Sequence, residues 1–363
     1  MLGLTYPEST GSANFTNNHT IAILSAWLKK NRPDERVVFT QSLQELMACD
    51  EVWCTSPSET FGAVNDIGKV VVGAGKKFVV GGHHVTACPD SLKFGELHKG
   101  PLDGTELLTP DWDICGGVDK QYIGLAKQYV AMSSFGCPFA CTFCSSTSFW
   151  HRHLYKPIDN FVSEIEELKL RGAKYVNIFD DLFALDIKRL QTIAERLAPL
   201  QMDFGCLIRA DVVNQERLTL LGNMGVKNIA FGAESGSDRV LSLMNKHTTV
   251  EHNQHAVDLL VDGKFGAVCS LVVGHPFETI NDLDKTIDFV RKNRDRMLVK
   301  VYPCIPFPGT RLWKRFVRTD NVNVRNFDWS RLRMEKIDWD KYPIMVEYER
   351  RRLIDVVENT KEI

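Results

Sequence analysis

Residues 133–144 read Ser133-Ser134-Phe135-Gly136-Cys137-Pro138-Phe139-Ala140-Cys141-Thr142-Phe143-Cys144, which places three thiols at C-x3-C-x2-C spacing. A hydrophobic core does not need three Cys on one short loop, and Gly136 with Pro138 prevents a regular helix throughout it. The spacing allows three thiolates to converge on one inorganic centre. Structural zinc and ferredoxin-type clusters each take four protein ligands. A cubane held by three thiolates leaves one iron open for an exogenous ligand.

Two other interpretations of the triplet stay open at this point. The three Cys could form a Cys3His zinc site with His151 or His153, since His153 lies nine residues after Cys144. They could also be reduced thiols of a core. The rest of the chain has to decide between these possibilities and an iron–sulfur cluster.

Composition is that of a globular protein without an export signal. The 363 residues are 44% apolar and 25% charged, and the formal net charge of −2 argues against a general polyanion-binding surface. The first residues lack the pattern of a signal peptide, and no apolar run approaches membrane-spanning length. Ten Cys in such a chain indicate a reducing compartment. We therefore expect a cytoplasmic protein, with no membrane and no strong nucleic-acid interaction.

Residues 1–95 are predicted to form a small α/β domain. Short apolar strands at 36–40, 50–55 and 77–84 alternate with helical stripes, as in a parallel, doubly wound sheet. The diglycine Gly81-Gly82 ends the third of these strands and predicts a tight turn, with close approach of the backbone to a ligand as the weaker alternative. Residues 96–122 are turn-rich and are predicted to be a linker.

Residues 123–318 repeat strand and then helix six times. The spacing of apolar residues predicts an amphipathic helix over 159–171. The predicted strands are Tyr129–Met132, Lys174–Phe179, Phe204–Arg209, Asn228–Gly232, Ala267–Gly274 and Leu298–Tyr302. Six repeats are too few for a closed eight-stranded barrel and indicate an open, partial (β/α)6 barrel. Residues 319–363 form a C-terminal extension whose Trp329, Trp339 and Tyr342 could cover the open barrel.

Polar residues follow the predicted strands at the ends where parallel barrels carry their chemistry. They are the Cys loop, Asp180-Asp181, Arg209, Glu234, Glu278 and the turn Pro308-Gly309-Thr310. A zinc knuckle does not need such a set of residues downstream. The pattern therefore favours an enzyme over a zinc-binding interaction protein.

The sequence resembles the radical S-adenosylmethionine (SAM) superfamily, and more narrowly its branch with an N-terminal cobalamin-binding-type domain. Besides the Cys triplet with Phe143 before its last Cys, four later segments are similar to motifs of that branch in the same order. They are Gly232-Ala233-Glu234-Ser235-Gly236-Ser237, Lys246 with Thr248, Gly274-His275-Pro276-Phe277-Glu278-Thr279 and Pro306-Phe307-Pro308-Gly309-Thr310. The resemblance is strong over about residues 125–315 and loose before them.

The resemblance implies a [4Fe–4S] cluster on Cys137, Cys141 and Cys144, with SAM on the fourth iron. Reductive cleavage of SAM would then yield a 5′-deoxyadenosyl radical that abstracts hydrogen from a substrate, in a rearrangement, lyase or oxidation. Further implied residues are Arg209 and Asp181 as catalytic groups, and Phe143, Asp180, Arg209, Glu234, Ser235, Gly274 and Glu278 as cofactor-binding groups. Arg209 suits the SAM carboxylate because its guanidinium is a fixed, always-charged fork. The implied partners are an electron donor such as flavodoxin or ferredoxin and a small-molecule, peptide or modified-base substrate.

Two features depart from the family. Asp180-Asp181 replaces the Gly-Gly-Glu that many members show after the second strand, and one of the two Asp is expected to cap the next helix. The lower-ligand motif of cobalamin binders, Asp-x-His-x-x-Gly, is absent around His19, His83 and His84. We therefore expect cobalamin to be unlikely and the N-terminal domain to be degenerate, with a cobalamin-dependent methyltransferase as the alternative. Cys206, Cys269 and Cys304 are predicted to be buried small hydrophobes. His83, His84 and His275 are predicted to be turn residues and not ligands.

Overall fold

A computed structural model describes residues 1–7, 13–55, 57–115 and 128–332 of the chain. The strands of this part of the chain are β1 Leu2–Thr5, β2 Val37–Phe39, β3 Glu51–Thr55, β4 Lys77–Gly81, β5 Glu96–Leu97, β6 Gln128–Ala131, β7 Ser134–Phe135, β8 Leu154–Tyr155, β9 Tyr175–Ile178, β10 Asp203–Arg209, β11 Val226–Glu234, β12 Gly266–Val273 and β13 Leu298–Pro303. The helices are α1 Ala13–Asn31, α2 Leu43–Leu46, α3 Phe61–Gly73, α4 His83–Ala87, α5 Ser146–Trp150, α6 Ile158–Leu170, α7 Ile187–Leu197, α8 Gln215–Met224, α9 Asp238–Leu243, α10 Val250–Asp262, α11 Ile280–Asn293 and α12 Arg311–Thr319. Short 3-10 turns connect several of them. No helix among the described residues is long and apolar enough to cross a membrane.

Two compact units make up the chain. The first comprises residues 1–138, 144–174 and 306–333, and the second comprises residues 139–143, 175–305 and 334–363. Trp339 and Tyr342, which the sequence suggested as a barrel cover, lie outside the described residues, as do residues 116–122 of the predicted linker. The proposed domain limits at 95, 122 and 318 therefore stay predictions.

The first unit contains a five-stranded parallel sheet in the order β2-β1-β3-β4-β5. This is the order of flavodoxin-like doubly wound sheets, in which ligands bind beyond the carboxyl ends of the strands where the order reverses, between β1 and β3. Apolar residues such as Leu2 and Leu4 of β1 and Ile21 and Leu28 of α1 are fully buried, as expected for a sheet covered by helices. The doubly wound parallel sheet predicted from the sequence is present, and it extends to Leu97.

The predicted helices and strands of the second half are present within a few residues of their predicted ends. The helix predicted at 159–171 is α6, and the six predicted strands correspond to β6 and β9 to β13. Within the second unit, β9 to β13 form a parallel sheet in the order β13-β12-β11-β10-β9. One face of this sheet carries the buried side chains of Phe204, Phe231, Cys269 and Val299, because alternate residues of a strand point to the same face. The opposite face carries Arg209, the predicted active-site residue at the end of β10.

Candidate active site

The Cys loop begins at a two-stranded antiparallel hairpin of β7 and β8. Gly136 follows β7 with a positive φ of 75°, and a Cβ on it would lie 2.5 Å from the Arg152 carbonyl oxygen and 2.7 Å from the Trp150 Cβ. Only glycine fits this position without strain. The hairpin therefore fixes the direction in which the chain enters the loop that carries Cys137.

The three thiols of the loop are half-buried, and none of the ten Cys forms a disulfide. Within the described ranges, no three His, Cys, Asp or Glu side chains lie close enough to hold a single metal ion. His153, one candidate for a fourth zinc ligand, packs edge-on against Tyr155, with ring centroids 4.5 Å apart. Among the residues that the structure describes, neither the Cys3His set nor the three thiols of the loop converge on one point, so the Cys3His alternative stays a prediction.

The middle of the Cys loop, residues 139–143, packs on the carboxyl ends of the second unit's strands. The Thr142 N–H donates to the Met244 carbonyl over 2.9 Å, and Asn245 Nδ2 donates to the Ala140 carbonyl over the same distance. The Phe139 ring lies on the Arg209 guanidinium, with 3.7 Å between ring centroid and Cζ. These contacts hold the segment around Cys141 beside the end of β10.

Arg209 ends β10 and is almost fully buried. Its Nε and Nη2 donate to the two Asp211 carboxylate oxygens over 2.9 and 3.1 Å, and Nη2 also donates to the Lys246 carbonyl over 2.6 Å. Its Nη1 makes no hydrogen bond with any residue in the described ranges. Asp211 therefore orients the guanidinium and leaves one face of the fork available to a ligand carboxylate.

Glu234 ends β11 and forms a buried ion pair with Lys246, with 2.7 Å between Oε1 and Nζ. The backbone of Glu234 has a positive φ of 63°, and its carboxylate lies over Gly232, where a Cβ would clash with it. Gly232 is thus required by this close approach. Lys246 was part of a sequence motif but was not predicted as a site residue, and no local pattern in the sequence pairs it with Glu234.

The turn after β12 is closed by Glu278. The Gly274 and His275 N–H groups donate to Glu278 Oε2 over 2.6 and 3.2 Å, and Gly274 has a φ of 85°. Burial raises the pKa of Glu278 to about 7. Glu278 therefore stabilises the turn through Oε2, and its second oxygen, Oε1, can accept a hydrogen bond from a ligand.

His275 is a fully buried turn residue, as the sequence indicated. Its ring meets the Phe143 ring edge-on at 6.0 Å between centroids, and its Nδ1 lies 3.3 Å from Cys304 Sγ. Burial lowers the pKa of His275 to about 3, so the imidazole is neutral at physiological pH. The contact places Phe143, the aromatic residue before Cys144, next to the turn that starts at Gly274.

Other predicted residues have different surroundings. Asp180 is buried and Asp181 is exposed. The expectation that one of them caps the next helix is wrong, because α7 starts at Ile187 and its N-cap is Asp186, which accepts a hydrogen bond from the Arg189 N–H. Ser235 is fully buried, and its hydroxyl is hydrogen-bonded to Thr286 of α11 and to the Ser237 N–H.

The three Cys predicted to be core residues are indeed buried. Cys206 is 7% exposed, Cys304 is 3% exposed and Cys269 is fully buried. Burial raises the pKa of each thiol above its ordinary range, so the three are protonated and poor metal ligands. They are not part of the Cys loop's donor set.

Several buried polar atoms at this end of the sheet have no hydrogen-bond partner among the described residues. They are Thr142 Oγ1, Thr248 Oγ1, His275 Nε2 and Glu278 Oε1. An unsatisfied buried polar atom costs about 1–3 kcal/mol, so such atoms are rare in the interior of a protein. Their position beside a loop of three thiols fits a site that is completed by a polar ligand next to an iron–sulfur cluster.

Comparison with known proteins agrees with this chemistry. Residues 132–290 match the family described as the radical SAM superfamily. An anaerobic magnesium-protoporphyrin IX monomethyl ester cyclase of Rubrivivax gelatinosus is 29% identical over 252 residues, which are 67% of this chain and 44% of the cyclase. An uncharacterized methyltransferase of Pyrococcus horikoshii is 30% identical over 226 residues, 61% of this chain and 49% of that protein. The chain thus spans about half the length of these curated relatives.

Solved structures show the same fold. The radical SAM methyltransferase TsrM of Kitasatospora setae, solved with cobalamin and a [4Fe–4S] cluster, aligns with a TM-score of 0.71 at 13% identity over 88% of this chain and 78% of TsrM. The cobalamin-dependent enzyme OxsB aligns with a TM-score of 0.65 at 15% identity over all of this chain and 61% of OxsB. Both confirm the partial (β/α)6 barrel preceded by a doubly wound domain. The matched family and the loop of three thiols together identify residues 132–290 as a radical SAM domain.

Proposed function

We propose that the chain is a radical SAM enzyme in which Cys137, Cys141 and Cys144 hold a [4Fe–4S] cluster and the carboxyl ends of β10 to β12 bind SAM. When bound, the two cofactors supply the reductive cleavage of SAM to a 5′-deoxyadenosyl radical that abstracts a hydrogen atom from the substrate. The observation that carries the proposal is the packing of residues 139–143 on Arg209 and on residues 244–246.

The protein's own residues have distinct roles in this proposal. Arg209, held by Asp211, offers Nη1 to the SAM carboxylate. Glu234, held by Lys246, accepts hydrogen bonds from the SAM ribose or ammonium. The Phe143 ring and the Gly274 turn, which meet through His275, lie against the adenine, and the partnerless Glu278 Oε1 accepts a hydrogen bond there.

Roles for the Asp residues follow from their exposure. Asp180 is buried at the end of β9 and belongs with the cofactor-binding groups, whereas the exposed Asp181 is available to substrate as an acid or base. Ser235 acts from behind the site, because its hydroxyl is occupied by α11. The reductant, a flavodoxin or ferredoxin in the sequence-based prediction, and the cytoplasmic setting belong to the same proposal.

The test is an anaerobic reconstitution with iron and sulfide, followed by dithionite and SAM. We expect a [4Fe–4S]+ electron paramagnetic resonance signal that changes with SAM, and 5′-deoxyadenosine by mass spectrometry. Cys141→Ala should lose both, whereas Cys88→Ala, a buried thiol outside the triplet, should keep both. A Cys141→Ala protein that still cleaves SAM would show that the proposed ligands are wrong.

A cobalamin-dependent methyltransferase is the second candidate, favoured by the β2-β1-β3-β4-β5 sheet and its likeness to TsrM. At the carboxyl end of this sheet, Thr5 Oγ1 is buried and has no hydrogen-bond partner in the part of the chain that the structure describes. Gly82 has a φ of 102°, and a Cβ there would lie 2.6 Å from Thr55 Oγ1, so this turn requires glycine. These features fit a ligand at the edge of the sheet.

Histidine ligation of cobalt does not fit this edge. His84 is buried with Nδ1 2.9 Å from the Ser58 hydroxyl and Nε2 3.0 Å from the Ser91 hydroxyl, and its ring stacks on Phe61. His83 stacks on Phe149. If the chain is a cobalamin-dependent methyltransferase, it therefore binds cobalamin without a histidine ligand to cobalt. Gel filtration after incubation with hydroxocobalamin tests it: a cobalt-specific absorbance that stays with the protein supports the candidate, and its loss to the low-molecular-weight fractions rejects it.

A further inference from the structure

The second unit's sheet has one face that is not buried. Strand alternation and register place one side chain from each strand in successive rows on this inner face. One row runs Leu207, Ala230, Val268 and Leu298 across β10 to β13. The next row towards the carboxyl ends runs Arg209, Gly232, Ser270 and Lys300.

The inner face is apolar and partly exposed over four strands. Leu207 is 39% exposed, and Ala230, Val268 and Leu298 are each half-buried, whereas their neighbours on the opposite face are buried. Parallel sheets are normally covered on both faces, so an exposed apolar row in the middle of one indicates a surface that an apolar ligand covers.

Charge on the inner face is balanced at every position except one. Arg209 pairs with Asp211, Glu234 with Lys246, and Asp203 with Lys227. Lys300 is exposed, and it makes neither an ion pair nor a hydrogen bond with any residue of the described ranges. It lies on the edge strand β13, opposite Ser270 in the register. An unpaired ammonium beside a hydroxyl and an apolar row complements a ligand that has one anionic group on an apolar body.

Building on the proposed function, we infer that the substrate carries a carboxylate that pairs with Lys300 and an apolar body that lies on Leu207, Val268 and Leu298. Lys300 and Arg209 are three strands apart in one row, which corresponds to about 14 Å at a strand spacing of about 4.8 Å. The substrate therefore lies with its carboxylate at β13 and its apolar body directed towards β10, across the strands whose carboxyl ends are proposed to bind SAM. One ammonium suits a carboxylate better than a phosphate, which is usually held by an Arg fork or by several backbone N–H groups.

The experiment uses the anaerobically reconstituted full chain and two fluorescent probes, 4-(1-pyrenyl)butyrate and its neutral amide. The dissociation constant of each is measured by fluorescence anisotropy without reductant. We expect the acid to bind at least fivefold more tightly than the amide. Lys300→Met should weaken acid binding at least fivefold and leave amide binding unchanged, and Lys300→Arg should retain acid binding within twofold. Lys227→Met, an exposed lysine at the other end of the sheet, is the matched control and should change neither.

Three outcomes would overturn the inference. They are equal binding of acid and amide to the wild type, equal weakening of both probes by Lys300→Met, and binding of neither probe, which would mean that another part of the chain covers the face. Because probe binding needs no SAM cleavage, such a failure is distinct from a failure to produce 5′-deoxyadenosine. A positive result with no SAM cleavage would in turn overturn the proposed function alone.

Discussion

Replacing Lys156 by Met should destabilise the first unit more than any change at its surface. Lys156 and Glu164 form an ion pair whose side chains are both fully buried, and the Lys156 N–H donates to the Ser133 carbonyl just before the β7–β8 hairpin. Removing one partner of a buried pair costs about 3–5 kcal/mol, because the other charge stays behind without compensation.

The expected cost can also be worked from proton uptake. Without Lys156, the uncompensated negative charge of the buried Glu164 carboxylate is removed if the carboxylate binds a proton. Starting from an ordinary pKa of about 4.3, this costs about 3.7 kcal/mol at pH 7, at about 1.36 kcal/mol per pH unit. His19, whose Nε2 is 3.9 Å from Glu164 Oε1, has a pKa lowered to about 3 in the wild type, by burial and by the charge of Lys156.

The measurement is urea unfolding followed by circular dichroism at pH 7.0 and pH 5.5. We expect Lys156→Met to lose about 3–4 kcal/mol at pH 7.0 and about 2 kcal/mol less than that at pH 5.5, because the compensating proton binds more readily there. The double variant Lys156→Met/Glu164→Leu should regain most of the loss, since a buried pair replaced by apolar residues is often neutral or stabilising.

The exposed pair of Lys227 and Asp203 provides the control. Both side chains are more than half exposed, and Lys227→Met should change the free energy of unfolding by less than about 1 kcal/mol. A loss below about 1 kcal/mol for Lys156→Met, or a double variant as unstable as the single one, would refute the reasoning about buried charge.

Three further changes test the candidate active site. Gly136→Ala should destabilise the β7–β8 hairpin by about 1–2 kcal/mol and lower the iron incorporated per chain, because Gly136 has a positive φ and its Cβ would clash with the Arg152 carbonyl. Gly62→Ala in α3, which has open space around it, should be stabilising. Equal iron contents in the Gly136→Ala variant and the wild type would contradict this. Arg209→Lys should weaken SAM binding in calorimetry at least tenfold, since an ammonium cannot keep both the Asp211 contact and the ligand contact; unchanged affinity would remove Arg209 from the SAM site. The pKa of Glu278 is raised to about 7 in the folded protein, so its contribution to stability is present below the unfolded pKa and is lost as the pH rises through 7. Between pH 4.5 and 7.5, the free energy of unfolding of the wild type, measured with urea, should therefore fall by about 3 kcal/mol relative to that of Glu278→Gln. Parallel pH profiles of the two proteins would contradict the assignment.

The local features of the chain were predictable because they depend on neighbours in sequence. Hydrophobic periodicity predicted α6 within one residue at each end and the six strands β6 and β9 to β13. The spacing of Cys137, Cys141 and Cys144 indicated the cofactor, because a loop of three thiols has few other uses. The burial of Cys206, Cys269 and Cys304 followed from their positions on apolar strands.

Pairings across the sheet were not predictable in the same way. No sequence pattern pairs Glu234 with Lys246 or Arg209 with Phe139, because those contacts depend on which strands are neighbours and on how far a loop returns over their ends. The helix cap was misassigned to Asp180-Asp181 because the first turn of α7 starts five residues later than that pair, at Asp186. His84, which resembled a loop histidine in the sequence, is a buried group with both nitrogens hydrogen-bonded.

The sequence by itself therefore determined the class of chemistry and the order of strands and helices, since three thiols on one loop and a regular strand–helix repeat are local patterns. Tertiary structure alone decided which side chains share a site. The parallel register aligned Arg209, Gly232, Ser270 and Lys300 in one row across four strands. That register is set by packing between strands that are far apart in the chain, so no local stretch of sequence could reveal it. It places Lys300, which has no ion-pair partner among the described residues, beside an apolar row.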